Sequence, residues 1–219
     1  MCGKWYIESG DNMADNLISE RLQKQMAFIL KADEEKFIER KTLVSSGERF
    51  ENDAEHAWHM ALMCVLLSEY ANEPIDVLKT VKMILIHDIV EIESGDTYAY
   101  DEAGKATQHE RELKAADKLY NMLPQDQAKE YFNLWLEFEE QKTAEAKFAR
   151  SMDNVQPNML NNATDGEMWK RNKIKLSQVL KRNEPTKYGS ETLWNFQYNQ
   201  LIRPNVDKGY IINDVNYEE

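Results

Sequence analysis

The chain has 219 residues, of which 42% are hydrophobic, and this is enough for one folded domain with a substantial core. Its formal net charge of −12 disfavours a protein that binds along a DNA or RNA backbone, because such binding needs a basic surface. The charge does not exclude a small phosphorylated substrate, since a divalent metal and a few Arg or Lys side chains can reverse the local field.

The sequence shows no segment typical of a membrane protein or of a disulfide-rich secreted protein. No stretch approaches the roughly 18 uncharged apolar residues of a membrane span, and the N-terminus has no apolar signal core. Neither Cys2 nor Cys64 belongs to a Cys-x-x-Cys motif, so no disulfide framework or zinc knuckle is expected. These features predict a cytoplasmic protein without a membrane span.

Helical periodicity begins near Met13, and a content of only 8 Gly and 5 Pro favours an all-α protein. One apolar stripe marks the first predicted helix and consists of Leu17, Leu22, Met26, Ile29 and Leu30. The segment Leu43–Glu48, with its Ser-Ser-Gly, is typical of a loop. We expect Asn52 or Asp53 to cap the next helix, which runs from Ala54 to about Ala71.

A central helix is predicted from Val77 to about Ile92, because the run Val81–Ile86 is nearly all apolar. Gly95 ends it, and a loop through Asp96–Asp101 follows. Further helices are predicted near 104–122, 126–141, 143–155, 167–183 and 190–202, with irregular structure at 157–165. We therefore expect one domain at 14–212, a polar extension at 1–13 and a polar tail at 213–219.

Three ionisable residues, His87, Asp88 and Glu91, interrupt this apolar central segment. A charge buried without a partner is costly, and a bound cation would compensate for it. Adjacent His and Asp side chains diverge by about 100° on a helix and can converge on one ion beside it. The ordinary alternative for so short a motif is a salt-bridged core pair.

Two residues elsewhere in the chain favour a metal site over a salt-bridged core pair. His56 lies in the preceding apolar helix, and Asp153 lies in a later one. Glu91 follows His87 by four residues, which places both on one helical face.

The order His…His-Asp…Asp resembles the HD-domain metal phosphohydrolases, and more narrowly their bacterial 5′-deoxynucleotidase-like branch. The matching segments are Arg49–His59, His87–Asp96, Glu145–Asp153, Gly166–Trp169 and Arg182-Asn183. The chain departs from the branch at Ala57, where Ser is usual. The resemblance implies a compact helical HD-domain fold with a metal site between central helices.

By this resemblance the metal ligands are His56, His87, Asp88 and Asp153. Such a mixed nitrogen and oxygen site suits Mn²⁺, Co²⁺, Fe²⁺, Ni²⁺ or Zn²⁺. One ion is expected, because binuclear HD enzymes generally recruit extra histidines and the remaining candidates in this sequence are only His59 and His109.

The resemblance also suggests catalytic and substrate-binding residues. Glu91 is expected to orient or deprotonate the attacking water or to protonate the leaving oxygen, or else to support a ligand histidine. Asp96 is a second candidate, for substrate handling at the sugar, although Gly-Asp also suits a helix-ending turn. Arg40 and Arg49 are candidates for substrate contact, against the alternative of solvated surface charges.

The leading hypothesis is hydrolysis of deoxyribonucleoside 5′-monophosphates to nucleoside and phosphate by a metal-activated water. The alternatives are hydrolysis of another nucleotide or small phosphomonoester, and a non-catalytic regulatory HD protein. The expected partner is a small phosphorylated substrate, with no nucleic-acid polymer and no membrane. A homodimer is implied by the family alone.

Overall fold

The protein is described here by a computed structural model that covers residues 13–98, 100 and 102–215. Most of the predicted extension at 1–13 and the end of the predicted tail at 213–219 therefore lie outside the described residues. Helices dominate the described part of the chain, which confirms the predicted all-α class, and they pack as a single domain.

The N-terminal part consists of helix α1 (Met13–Ala32), a 3₁₀ turn and a short hairpin that the sequence did not predict. Strands β1 (Glu39–Leu43) and β2 (Phe50–Asn52) pair antiparallel, with Glu39 opposite Asn52 and Leu43 opposite Phe50. The predicted loop covers the turn between them. These strands are too short to show an alternating pattern in the sequence.

Helix α2 (Asp53–Leu67) begins where the sequence places a cap. The Asn52 side chain accepts a hydrogen bond from the backbone N–H of Glu55 at 2.9 Å, and the Glu55 carboxylate accepts one from the Asn52 N–H at 3.2 Å. This reciprocal capping box confirms Asn52 as the cap.

The predicted central helix is interrupted. Helix α3 ends at Ile86 (Val77–Ile86), residues 87–90 form a turn, and α4 (Glu91–Ser94) follows. In the turn the Glu91 N–H donates to the Asp88 carbonyl at 2.8 Å. This bond joins residues three apart and so closes a tighter turn than the α-helical bond, which joins residues four apart. Gly95 ends α4 in a left-handed conformation with φ of +76°, as predicted.

The remaining helices are α5 (Glu102–Tyr120), α6 (Gln125–Glu140), α7 (Ala144–Ala163), α8 (Glu167–Arg171), α9 (Leu176–Asn183), α10 (Thr186–Gly189), α11 (Glu191–Phe196), a π-helical turn (Gln197–Ile202) and α12 (Arg203–Asp207). The helix predicted near 167–183 is split between α8 and α9, where Lys173 adopts a φ of +50°.

The prediction of irregular structure at 157–165 is wrong, because α7 continues through Pro157. A proline removes one backbone hydrogen bond of a helix. Here α7 is buried at the centre of the domain, and side-chain amides add local bonds: Asn158 donates to the Asn154 carbonyl and Asn161 to the Pro157 carbonyl, each at 2.9 Å. Tertiary packing therefore overrides the local signal.

The main core is formed by buried side chains of α2, α3, α5, α6 and α7, and a smaller C-terminal cluster surrounds Trp169. The apolar stripe of α1 does not face this core. Leu22, Met26, Ile29 and Leu30 are 55% to 69% exposed, while Phe28 is buried. The side chain of Leu17 lies outside the described residues. No helix in the described ranges is long and apolar enough to cross a membrane.

Candidate metal centre

Three elements supply the four predicted metal ligands. His56 lies on α2, His87 and Asp88 lie in the turn after α3, and Asp153 lies on α7. Helices α2, α3 and α7 pack against one another, so residues far apart in the chain meet between them. All four side chains are largely removed from solvent.

His56 is held with one ring nitrogen facing the carboxylates. Its Nδ1–H donates to Gln156 Oε1 at 3.0 Å, and its Nε2 lies 3.2 Å from Asp153 Oδ1 and 4.0 Å from Asp88 Oδ2. Burial lowers the pKa of His56 to about 4, so the imidazole is neutral. Its Nε2 lone pair is therefore available to a cation.

His87 is oriented in the same way as His56, with Nδ1 bonded to the protein and Nε2 facing a carboxylate. Its Nδ1–H donates to the Ile84 carbonyl at 2.7 Å, which leaves Nε2 directed at Asp88 Oδ1, 3.1 Å away. Within the described part of the chain, this buried Nε2 makes no hydrogen bond of good geometry. Burial disfavours the imidazolium, but the Asp88 carboxylate outweighs it and raises the pKa of His87 to about 9. A carboxylate that favours a proton at Nε2 also favours a metal cation there.

The residues fit a divalent cation. Within the described part of the chain, ligand atoms of His56, His87 and Asp88 all lie within 4.8 Å of one another. Asp153 Oδ1 adds a carboxylate oxygen beside His56 Nε2. Two imidazoles and two carboxylates form a mixed donor set that suits Mn²⁺, Co²⁺, Fe²⁺, Ni²⁺ or Zn²⁺.

Two arginines orient Asp153. Its Oδ2 accepts hydrogen bonds from Arg150 Nη1 at 2.8 Å and from Arg182 Nη2 at 2.7 Å, so Oδ1 is left facing His56. Burial disfavours the carboxylate, but Arg182, His56 and Arg150 hold the pKa of Asp153 well below its usual range. Asp153 is therefore anionic at neutral pH.

Sequence reasoning gave no role to these two arginines. Arg182 is 29 residues from Asp153, and a contact at that separation leaves no local pattern. The spacing of Arg150, three residues before Asp153 in a helix, was a signal that could have been used.

Glu91 opens α4 and lines the same cavity as His87 and Asp88. Its side chain is buried, and its Oε2 has no hydrogen-bond partner among the described residues. Burial, together with the charges of Asp88 and Asp53, raises the pKa of Glu91 well above its usual value. The raised pKa favours the protonated form of Glu91, which is the form that can donate a proton within the cavity.

Two of the other predicted site residues line the cavity, and one does not. Asp96 lines it, and burial raises the pKa of its carboxyl group. Arg40, on β1, also lines it, but its Nη1 bonds Asp88 Oδ2 at 2.8 Å and Asp53 Oδ1 at 3.1 Å.

The Arg49 side chain is 57% exposed and binds the Glu55 carboxylate at 2.6 and 2.8 Å. It is not among the cavity-lining residues, so the predicted substrate contact by Arg49 has no support in the geometry.

Glu51 and Asp53 support the site although the sequence indicated only capping for this segment. Glu51 Oε1 accepts a hydrogen bond from Gln156 Nε2 at 2.6 Å, and so completes the chain of contacts that holds His56. Asp53 is fully buried against Arg40, and burial followed by the Asp88 charge raises its pKa to about 7. Outer partners of this kind fix the orientation of ligand side chains.

The candidate centre lies at the wall of a cavity of about 530 Å³, within the range typical of small-molecule sites. Polar and charged side chains from β1, α5, α7 and α9 form much of its lining. The cavity can hold a cation and an anionic small molecule side by side, next to the carboxyl group of Glu91.

Comparison with known proteins assigns the class. A model of the HD domain matches residues 32–194, and the chain belongs to the HD-domain family. The crystal structure of a predicted metal-dependent phosphohydrolase from Magnetospirillum magnetotacticum MS-1 superposes with a TM-score of 0.84 at 43% identity, covering 89% of this chain and 97% of that chain.

Two relatives carry a more specific name. The human 5′-deoxynucleotidase HDDC2 is 32% identical over 109 residues, which make up 50% of this chain and 52% of the human protein. The 5′-deoxynucleotidase HDDC2 of Dictyostelium discoideum is 33% identical over 111 residues, 48% of this chain and 58% of that protein. The chain thus spans little more than half the length of these relatives.

Proposed function

We propose that this protein is a metal-dependent phosphohydrolase that converts deoxyribonucleoside 5′-monophosphates to nucleoside and phosphate. The observation that carries the proposal is the convergence of His56, His87 and Asp88, with Asp153 Oδ1 3.2 Å from His56 Nε2. This cluster lies near the buried Glu91 carboxyl group at a cavity of about 530 Å³. The substrate class is supported by the relatives named 5′-deoxynucleotidase. The reaction class is supported by the similar structure of a predicted metal-dependent phosphohydrolase.

In this proposal His56, His87, Asp88 and Asp153 hold one divalent ion. When bound, such an ion lowers the pKa of a coordinated water and neutralises charge on phosphoryl oxygens. Gln156 and the Ile84 carbonyl keep the two imidazoles in the tautomer that presents Nε2. Glu91 donates its proton to the leaving 5′-oxygen, and Asp96 accepts a hydrogen bond from a sugar hydroxyl.

The proposal predicts metal-dependent phosphate release. Metal-loaded protein should release phosphate from deoxyribonucleoside 5′-monophosphates in a screen of nucleotide mono-, di- and triphosphates with each of the five metals, and a chelator should stop it. At about 100 times its Kd, the preferred metal should also stabilise the fold by about 2.7 kcal/mol, measured as a rise in Tm. Absence of release from every nucleotide, with every metal, would contradict the enzyme assignment.

We also propose that the protein is a homodimer. The face of α2 opposite the core carries Trp58, Leu62, Val65 and Leu66, which are exposed in the single chain and follow one helical stripe. A contiguous exposed apolar face of this kind marks an interaction site.

The dimer predicts a mass near twice that of the 25.7 kDa chain in light scattering after gel filtration. The double variant Leu62→Lys/Leu66→Lys should shift it to the monomer, because two charges would have to be buried at the interface. Leu113→Lys, on the exposed surface of α5, is the matched control and should leave the mass unchanged. A dimer that persists in the double variant would refute this interface.

A cytoplasmic location and the lack of binding to nucleic-acid polymers stay predictions from the sequence. Localisation of a tagged full-length chain and a binding assay with duplex DNA would test them.

A further inference from the structure

Three arginines line the cavity: Arg40, Arg150 and Arg182. Two of them each pair with at least two carboxylates of the protein. The Arg40 side chain is 13% exposed and lies between Asp88 and Asp53. The Arg150 side chain is 15% exposed, contacts Asp153 and Glu139, and lies 4.3 Å above the centre of the Phe138 ring. Each of these two guanidinium groups is therefore held between carboxylates of the protein.

Arg182 differs from both. It lies on α9, and its side chain is 29% exposed, about twice the exposure of the other two. Its ion pair within the described residues is a single one, from Nη2 to Asp153 Oδ2 at 2.7 Å. A guanidinium carries five N–H donors, so one bond to a carboxylate leaves donors for a ligand in the cavity.

The way in which Asp153 is shared also favours an anion beside Arg182. Arg150 and Arg182 share one Asp153 oxygen, and the second Asp153 oxygen faces the candidate metal position. Arg150 has Glu139 as a second carboxylate partner, whereas Arg182 has no second carboxylate partner among the described residues.

We propose that Arg182 binds the phosphoryl group of the substrate, beside the cation that Asp153 helps to hold. This inference rests on the proposed function, and it assigns to Arg182 the role that the sequence suggested for Arg40 and Arg49. A planar guanidinium matches two oxygens of a terminal phosphate, which lysine cannot do. Arg182 therefore selects phosphomonoesters over nucleosides.

The test measures inorganic phosphate binding by isothermal titration calorimetry on metal-loaded protein, with metal content determined by elemental analysis. Arg182→Gln should weaken phosphate binding by about tenfold or more while retaining the metal, because a charge-assisted hydrogen bond is lost and Arg150 still orients Asp153. Arg182→Lys should lie between this variant and the unmodified protein. In hydrolysis, KM should rise more than kcat falls.

Arg171→Gln provides the matched control, since Arg171 is exposed on α8 and pairs with Glu167. It should bind phosphate as the unmodified protein does. Phosphate affinity within twofold in Arg182→Gln would overturn the inference, whether or not nucleotides are hydrolysed. Loss of metal from both Arg182 variants would also overturn it, because Arg182 would then act only by positioning Asp153. Phosphate binding that depends on Arg182, in a protein that hydrolyses no nucleotide, would uphold the inference and refute the proposed function.

Discussion

Replacing Asp88 with Ala is expected to abolish metal retention and phosphate release together. Asp88 Oδ1 lies 3.1 Å from His87 Nε2, and its Oδ2 lies 2.8 Å from Arg40 Nη1. Removing the carboxylate takes away an anionic ligand and leaves the buried Arg40 with less compensation. Loss of an outer partner of a metal ligand costs about 10–100-fold in affinity, so loss of the ligand itself should cost more than about 100-fold.

Elemental analysis after dialysis, together with phosphate release, measures this result. Asp88→Asn preserves the shape of the side chain and shows whether a loss reflects the missing charge or a collapsed fold, which circular dichroism would detect. Asp117→Ala, at an exposed position on α5, is the control and should keep both metal and activity. Stoichiometric metal in folded Asp88→Ala would exclude Asp88 as a ligand.

The second large effect is expected for Glu91→Gln, which should retain the metal but lower kcat by about 10²–10⁴. The amide is nearly isosteric with the acid but has no carboxyl proton to donate. Burial and the raised pKa of Glu91 fit a proton donor, and its Oε2 has no hydrogen-bond partner among the residues that the structure describes. KM should change less than kcat, because Glu91 acts on the reacting atoms in this proposal.

Glu93→Gln is the matched control for Glu91→Gln. Glu93 lies on the same short helix, but its carboxylate is directed outward to Lys31 and Lys118. It should therefore leave kcat unchanged. If Glu91→Gln lost metal in step with activity, Glu91 would be a ligand or the support of one. If it kept full activity, the acid role would be wrong and Asp96 would be the next candidate.

The sequence by itself determined the features that depend on near neighbours in the chain. The capping box at Asn52 joins residues three apart, and Gly95 ends its helix by a local conformational preference. The unusual placement of His87, Asp88 and Glu91 in an apolar segment already predicted a cation. The sequence predicted that a continuous helix brings His87 and Glu91 to one face. The structure instead has a turn at 87–90, and both residues line the same cavity.

Only the tertiary structure decided the features that depend on packing between distant segments. Burial of α7 carries its helix through Pro157, and docking of α9 brings Arg182 to Asp153, 29 residues away in the chain. The same packing turns Arg40 toward Asp88 and leaves Arg49 at the surface with Glu55. A local sequence pattern shows which side chains are charged or apolar. The partner of each side chain depends on which helices pack against it, and no short-range signal in the sequence encodes that packing.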